Sequence, residues 1–294
     1  TLSALGQFEE AEREYREALR LDPQFADCHY NLGVLSLLHG NFTVGWAHYR
    51  HRPSAPPRPA PDALPMDMRG RNVLLEQDQG LGDELFFLRF APQLKARGAR
   101  IAYRPNPKIA SLLARLDCIE RLVGEGEEPP ITGLHFSIGD LPLVLGISDP
   151  GQIPPPLPLP VLPERVAALR ARLAALGPPP YLGVTWRAGT PDKKEMLFKE
   201  CPLSEIAATL KDLPATVLVL QRKPETTEIE AFSQALGREA YDLSALNDDL
   251  EQMLALLALL DDYVGVSNTN MHLMAGLGKT ARVLVPHPPE WRWM

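Results

Sequence analysis

The sequence predicts an α/β protein made of two strand–turn–helix units, preceded by a short all-α segment. Three observations lead there. An apolar strand, a turn and an amphipathic helix occur twice, around Gln79-Gly80-Leu81-Gly82-Asp83 and around Ser267-Asn268-Thr269-Asn270-Met271-His272. The first 52 residues carry an internal repeat. Of the thirty prolines, thirteen cluster at 53–65 and 150–163, where neither a helix nor a central strand can continue.

The repeat comes first in the chain. Gly6, Phe8, Tyr15 and Pro23 recur as Gly40, Phe42, Tyr49 and Pro57, each 34 residues on. That is the tetratricopeptide period, and Asn31-Leu32-Gly33 and Ala18…Pro23 also resemble the family's pattern. Ala11 becomes Gly45, keeping a small residue where two helices cross, whereas Ala18 becomes Arg52, so the second unit is expected to fray there. The resulting division is 1–52 tetratricopeptide-like helices, 53–65 Pro-rich linker, 66–148 first α/β domain, 149–162 Pro-rich linker and 163–294 second α/β domain.

In the first α/β domain a strand over 72–77 leads into the glycine turn, then a helix over 84–97 ended by Gly98. A strand over 100–104, a helix over 108–116, strands over 119–123 and 134–137 and a short helix after Asp140 follow. The second domain opens with a helix over 163–176 and a strand over 181–186. It continues with a helix over 203–213, a strand over 216–221, a helix over 225–236, a strand near Tyr241 and a helix over 248–260. It closes with a strand before Ser267, a small-residue helix after it and a strand over 281–286. Alternation of this kind predicts mostly parallel sheets covered by helices.

Composition narrows the function. A net charge of −7 argues against a nucleic-acid partner. No apolar run approaches the about 18 residues of an integral membrane helix. Cys28, Cys118 and Cys201 are widely separated and show no CxxC spacing, which fits a reduced cytoplasm rather than a disulfide or zinc framework. The absence of Asp-x-Asp disfavours a metal-bridged diphosphate, and no metal site is expected. Without GxGxxG after either opening strand, dinucleotide redox chemistry is disfavoured too.

Several residue groups carry chemistry. In Gly80-Leu81-Gly82-Asp83 the glycines permit close backbone approach, and Asp83 opens the next helix, where an ordinary N-cap role is the alternative. The segment 187–202 is unusually basic for this acidic chain, with Arg187, Lys193, Lys194 and Lys199; cations beside a parallel strand end suit a departing diphosphate. For Lys193 and Lys194, beside Asp192 and Glu195, a solvated loop is the favoured reading. Gln221 closes its strand at the carboxyl edge, to bond a nucleoside or to cap the next turn. The 267–272 turn aims a helix N-terminus and the polar groups of Ser267, Asn268, Thr269, Asn270 and His272 at one point, which suits a phosphate.

These residues together resemble bacterial proteins that join tetratricopeptide repeats to a glycosyltransferase domain of the ADP-heptose:lipopolysaccharide heptosyltransferase superfamily. The likeness rests on Gly82-Asp83, on Lys199-Glu200-Cys201-Pro202 (similar to the family's Lys-x-Trp-Pro), and on Thr269…His272 followed by Leu273-Met274-Ala275-Gly276. The ending Pro288-Pro289-Glu290-Trp291-Arg292-Trp293 also looks like this family, its indoles serving base stacking or packing. Cys201 replaces the tryptophan, and Ser267 the acid of the family's Asp-Thr-x-x-x-His. The resemblance implies two Rossmann-like domains in the GT-B arrangement, the second ending before the family's returning helix. It implies an inverting, metal-independent transfer from a nucleotide-sugar, with no further cofactor. Asp83 would be the general base, Gln79, Gly80 and Gly82 would line the acceptor cleft, and Lys199 would touch the donor phosphate. The acceptor is a protein, as the repeats imply, or a saccharide, as the heptosyltransferase likeness implies. Two competing readings are an interaction scaffold with a degenerate transferase domain, supported by Ser267 and Cys201, and a nucleotide-sugar epimerase of the same fold.

Overall fold

The computed structural model describes residues 2–55, 60–129, 133–188 and 199–293. The chain forms two compact units, Thr1–Leu157 with His287–Met294, and Pro158–Pro286.

In the first unit, helices α1 (Phe8–Leu21), α2 (Ala26–Leu38) and α3 (Phe42–Tyr49) come first. Ala11 is buried, and α2 and α3 cross closely because both contribute glycine: a Cβ on Gly33 would lie 2.7 Å from the Tyr49 backbone nitrogen, and one on Gly45 would meet the Leu37 side chain. Gly33→Ala must therefore push α3 outward, and a loss of about 1–3 kcal/mol in urea unfolding is expected. A loss under about 0.5 kcal/mol would mean that the crossing is looser than these distances.

Next come β1 (Asn72–Glu76), α4 (Leu81–Leu88), α5 (Ala91–Ala96), β2 (Arg100–Arg104), α6 (Ala110–Leu113), β3 (Arg121–Leu122), β4 (Leu134–Ser137) and α7 (Leu141–Leu145). The sheet is parallel, in the order β3-β2-β1-β4, with Val73 opposite both Ile101 and Leu134. Val73, Leu74 and Leu75 are all buried, as expected of a central strand covered on both faces. The helix expected over 84–97 is two helices. Pro92 has no N–H to continue the ladder and sits in the first turn of α5, so the chain breaks at Arg89-Phe90.

The helices and this sheet fall in one compact unit, and the described residues of the 53–65 segment pack within it. Ala60 and Leu64 are buried, the Leu64 N–H donates to the Val144 carbonyl at 2.8 Å, and Arg97 donates to the Leu64 carbonyl at 3.2 Å. The second repeat's first helix does end early, at Tyr49 where its counterpart runs to Leu21, but the chain beyond it stays packed, with Arg52 2% exposed. The division between units falls inside the second Pro-rich segment, at Leu157/Pro158, and the last residues group with the first unit rather than the second. Trp291 is buried there, its ring 5.1 Å from Trp46 and 5.3 Å from Phe86.

The second unit comprises α8 (Pro163–Ala174), β5 (Tyr181–Thr185), α9 (Leu203–Leu210), β6 (Thr216–Val219), α10 (Thr226–Leu236), β7 (Ala240–Asp242), α11 (Leu250–Leu259), β8 (Asp262–Val266), α12 (Thr269–Gly276) and β9 (Arg282–Leu284). Its parallel sheet runs β7-β6-β5-β8-β9, with Val184 opposite Val219 and Val264. Helices α9 and α10 pack together, as do α8 and α11. The core beneath α9 and α10 contains Trp186, Val184, Val217, Val219, Ile206 and Phe232. Both units are therefore Rossmann-like, and the first carries the all-α segment. Among the described residues no helix is long and apolar enough to cross a membrane.

Candidate functional site

In a parallel sheet the loops after the strands emerge at one edge, so each unit gathers its polar turns at the carboxyl ends of its central strands. In the first unit, β1 ends at Glu76, and the chain turns through Gln79 in the left-handed region (φ 58°) to Gly80, which caps α4. The Gly80 N–H donates to Asp83 Oδ2 at 3.2 Å, so Asp83 does close the helix start. Its other oxygen, Oδ1, lies 2.7 Å from Arg292 Nη1, and Arg292 Nη2 donates to Glu290 Oε2 at 2.8 Å. Burial works against the Arg292 charge, but Asp83, Tyr49 and Glu290 outweigh it and leave the pKa raised. Gly82 lies within the first turn of α4.

Behind this turn lies a group that the residue pattern did not reveal. Arg52 Nε donates to Asp78 Oδ2 at 2.5 Å, and its Nη1 donates to Asp140 Oδ1 at 2.7 Å. Ser137 Oγ donates to Asp78 Oδ2 at 2.5 Å. All four side chains are buried, and Asp78 Oδ1 has no hydrogen-bond partner among the described residues. Burial disfavours the Arg52 cation, yet Asp140 and Asp78 more than offset it and raise its pKa. The sequence signal was the charged Arg52 standing at the register position of Ala18. Tyr49, three residues earlier, accepts from Gln79 Nε2 at 2.6 Å.

Glu84, beside Asp83, is buried under Tyr103 and Asn106, whose O–H and N–H donate to Oε1 at 2.5 and 3.0 Å. Burial pushes its carboxyl up to about 7, although both hydrogen bonds pull it down. A carboxyl that binds its proton more tightly in the folded chain stabilises the fold fully below its ordinary 4.5, and that stability is lost as the pH rises through about 7. Glu84→Gln removes the titration and keeps an acceptor oxygen. It should gain about 2–3 kcal/mol on the parent chain between pH 5 and pH 8. Urea unfolding at the two pH values tests this, and an equal pH slope in both proteins would refute it.

In the second unit, the carboxyl ends of β6, β5 and β8 bring together the residues singled out for the donor. Gln221 is 3% exposed; its Oε1 accepts the N–H groups of Trp186 and Arg187, each at 3.0 Å, and its Nε2 donates to the Arg222 carbonyl. Its capping of the strand end thus accounts for its burial. Arg187 pairs through its guanidinium with Glu228 and donates to the Lys223 carbonyl at 2.9 Å. Glu228 was not singled out from the sequence; burial alone would raise its pKa, but bonds from Glu225, Arg187 and Trp186 leave it lowered. An antiparallel bridge between Arg187 and Glu200, with the Ala188 N–H on the Lys199 carbonyl at 2.9 Å, holds Lys199 beside the residues that follow β5. Lys193 and Lys194 lie outside the described residues.

The 267–272 turn follows β8. Asn268 is the N-cap of α12: its Oδ1 accepts the Asn270 N–H at 2.9 Å, and its Nδ2 donates to Thr185 Oγ1 at 2.9 Å. That bond fastens the turn to the end of β5. Ser267 and Asn270 are buried, whereas Thr269 and His272 are half-buried on the first turns of α12. The N-terminus of α12 and Lys199 thus follow the carboxyl ends of the neighbouring strands β8 and β5.

Three comparisons with known proteins bear on this geometry. A family model described as TPR repeat matches residues 2–40. Protein FlbA of Caulobacter vibrioides is 26% identical over 309 residues, covering 93% of this chain; the chain spans about half (51%) of that relative's length. Among solved structures, a glycosyl transferase of family 9 from Veillonella parvula matches with a TM-score of 0.60 at 10% identity, over 79% of this chain and 85% of that one. The E. coli ADP-heptose lipopolysaccharide heptosyltransferase II matches with a TM-score of 0.52 at 12% identity, over 72% and 84%. The heptosyltransferase TibC of enterotoxigenic E. coli, solved with ADP-D-β-D-heptose, matches with a TM-score of 0.52 at 15% identity, over 74% and 59%. The chain thus joins a tetratricopeptide repeat to the fold of heptosyltransferases, as its motifs led one to expect.

Proposed function

We propose that this chain is a metal-independent, inverting glycosyltransferase that moves a sugar from a nucleotide-sugar to a protein or saccharide acceptor. The observation that carries the reading is the likeness of fold to family 9 glycosyltransferases across 79% of the chain, with Asp83 on the turn after β1. In the proposed step an acceptor hydroxyl gives its proton to Asp83 as its oxygen bonds to the anomeric carbon. The bond from that carbon to the diphosphate oxygen breaks, and the nucleoside diphosphate leaves with the electron pair. Lys199 and the N-terminal turn of α12, with Ser267, Asn268, Thr269, Asn270 and His272, would stabilise the departing charge. Arg187, already paired with Glu228, supports the loop that carries Lys199. The first unit would take the acceptor, with Gln79, Gly80 and Gly82 beside it. The metal-independent reading rests on the absence of Asp-x-Asp, and the free thiols Cys28, Cys118 and Cys201 fit a cytoplasmic setting.

A second reading, a non-catalytic scaffold, has support in the ion pair between Asp83 and Arg292 and in Ser267 and Cys201 at donor positions. Calorimetry of the chain with ADP, GDP and UDP, followed by incubation with the matching sugar nucleotides, separates the two. A transferase binds one diphosphate selectively and slowly hydrolyses its donor. Failure to bind any of the three would favour the scaffold.

A further inference from the structure

Building on the proposed activity, we infer that the hairpin of α2 and α3, together with the residues that follow it, is part of the acceptor-side machinery, with Tyr49 and Arg52 acting as positioning residues for the turn that carries Asp83. Gln79 is not glycine yet holds a φ of 58°. Such a backbone persists where its surroundings over-determine it. Here two of the three groups that hold it come from the end of α3 and the residues just after it, and the third from β4. The side chain of Gln79 is held by the Tyr49 hydroxyl at 2.6 Å, and Asp78, the residue before it, is clamped by Arg52 and Ser137 at 2.5 Å each. Gly80, the residue after it, starts α4 and hands its N–H to Asp83. Three consecutive residues, Asp78, Gln79 and the cap Gly80, thus take their direction from Tyr49 and Arg52.

The clamp is also tightly enclosed. A Cβ on Gly139 would lie 2.3 Å from Asp78 Oδ2 and 2.8 Å from Arg52 Nη2, so β4's own loop leaves the pair no room to shift. Tyr49 itself is 1% exposed, packed edge-on to Trp46 and 6.0 Å from the rings of Phe87 and Trp291. A hydroxyl on a ring so placed has one direction to point, and Gln79 lies along it. The repeat thereby acts on the turn directly, rather than as an arm tethered by the Pro-rich segment.

Tyr49→Phe in the whole chain removes one hydroxyl and no packing. Backbone hydrogen exchange of the peptide covering 79–84 should accelerate about tenfold, with exchange in β2 and β4 unchanged. Arg52→Lys, which keeps the charge but not the fork, should accelerate the same peptide less than Arg52→Met does. With ADP-D-β-D-heptose as donor, Tyr49→Phe should lower kcat about tenfold and leave the donor KM unaltered. Unchanged exchange at 79–84 in both Tyr49→Phe and Arg52→Lys overturns the inference, as does a variant that changes KM and not kcat. A parent chain that consumes no donor counts against the proposed activity alone, and the exchange comparison then decides the role of the hairpin.

Discussion

Asp83→Asn should slow sugar transfer by about 10²- to 10⁴-fold and leave the affinity for nucleoside diphosphate unchanged. The substitution isolates the chemistry from the fold. Asparagine keeps an oxygen for the Gly80 N–H, so the start of α4 remains capped. What it loses is the negative charge that would accept the hydroxyl proton. Arg292 still has Glu290 at 2.8 Å, so its charge is not left alone in the half-buried site. Donor consumption measured beside a thermal melt is the check. A variant that melts like the parent and transfers at the parent's rate would remove Asp83 from the mechanism.

Arg52→Met should destabilise the fold by about 3–5 kcal/mol, as measured by urea unfolding of the whole chain. Methionine fills much of the same volume, so the loss is electrostatic rather than a cavity. Without the guanidinium, the buried carboxylates of Asp78 and Asp140 face each other's charge, supported by Ser137 alone on the Asp78 side. Adding Asp78→Asn to Arg52→Met should recover part of the loss, since it removes one of the two uncompensated charges; a double-mutant cycle reads that coupling. Strict additivity of the two substitutions would show that the pair does not interact as the 2.5 Å contact requires.

Much of this molecule was legible along the chain. The 34-residue period located the helices, and the alternation of apolar strands and amphipathic helices marked both parallel sheets. The turns at 79–83 and 267–272 stood out because residue types that tolerate tight turns and cap helices lay between a strand and a helix. These are local signals, carried by neighbours within a few residues. The helix expected over 84–97 is broken by Pro92, whose missing N–H is itself a local signal.

The tertiary structure decided the rest. Arg52 reads as a lapse in a repeat until the fold sets it beside Asp78 and Asp140, 26 and 88 residues away. Gln221 reads equally as a nucleoside ligand or a cap, and the fold ties its Oε1 to the backbone of Trp186 and Arg187. Asp83 meets Arg292, from the far end of the chain, because Trp291 buries itself among Trp46, Tyr49 and Phe86. Charge pairing of this kind depends on which side chains packing brings within about 3 Å, and no spacing along the sequence encodes that distance. The residues alone thus determined the elements and the two polar turns, while burial and long-range pairing determined which charges are engaged by the protein itself.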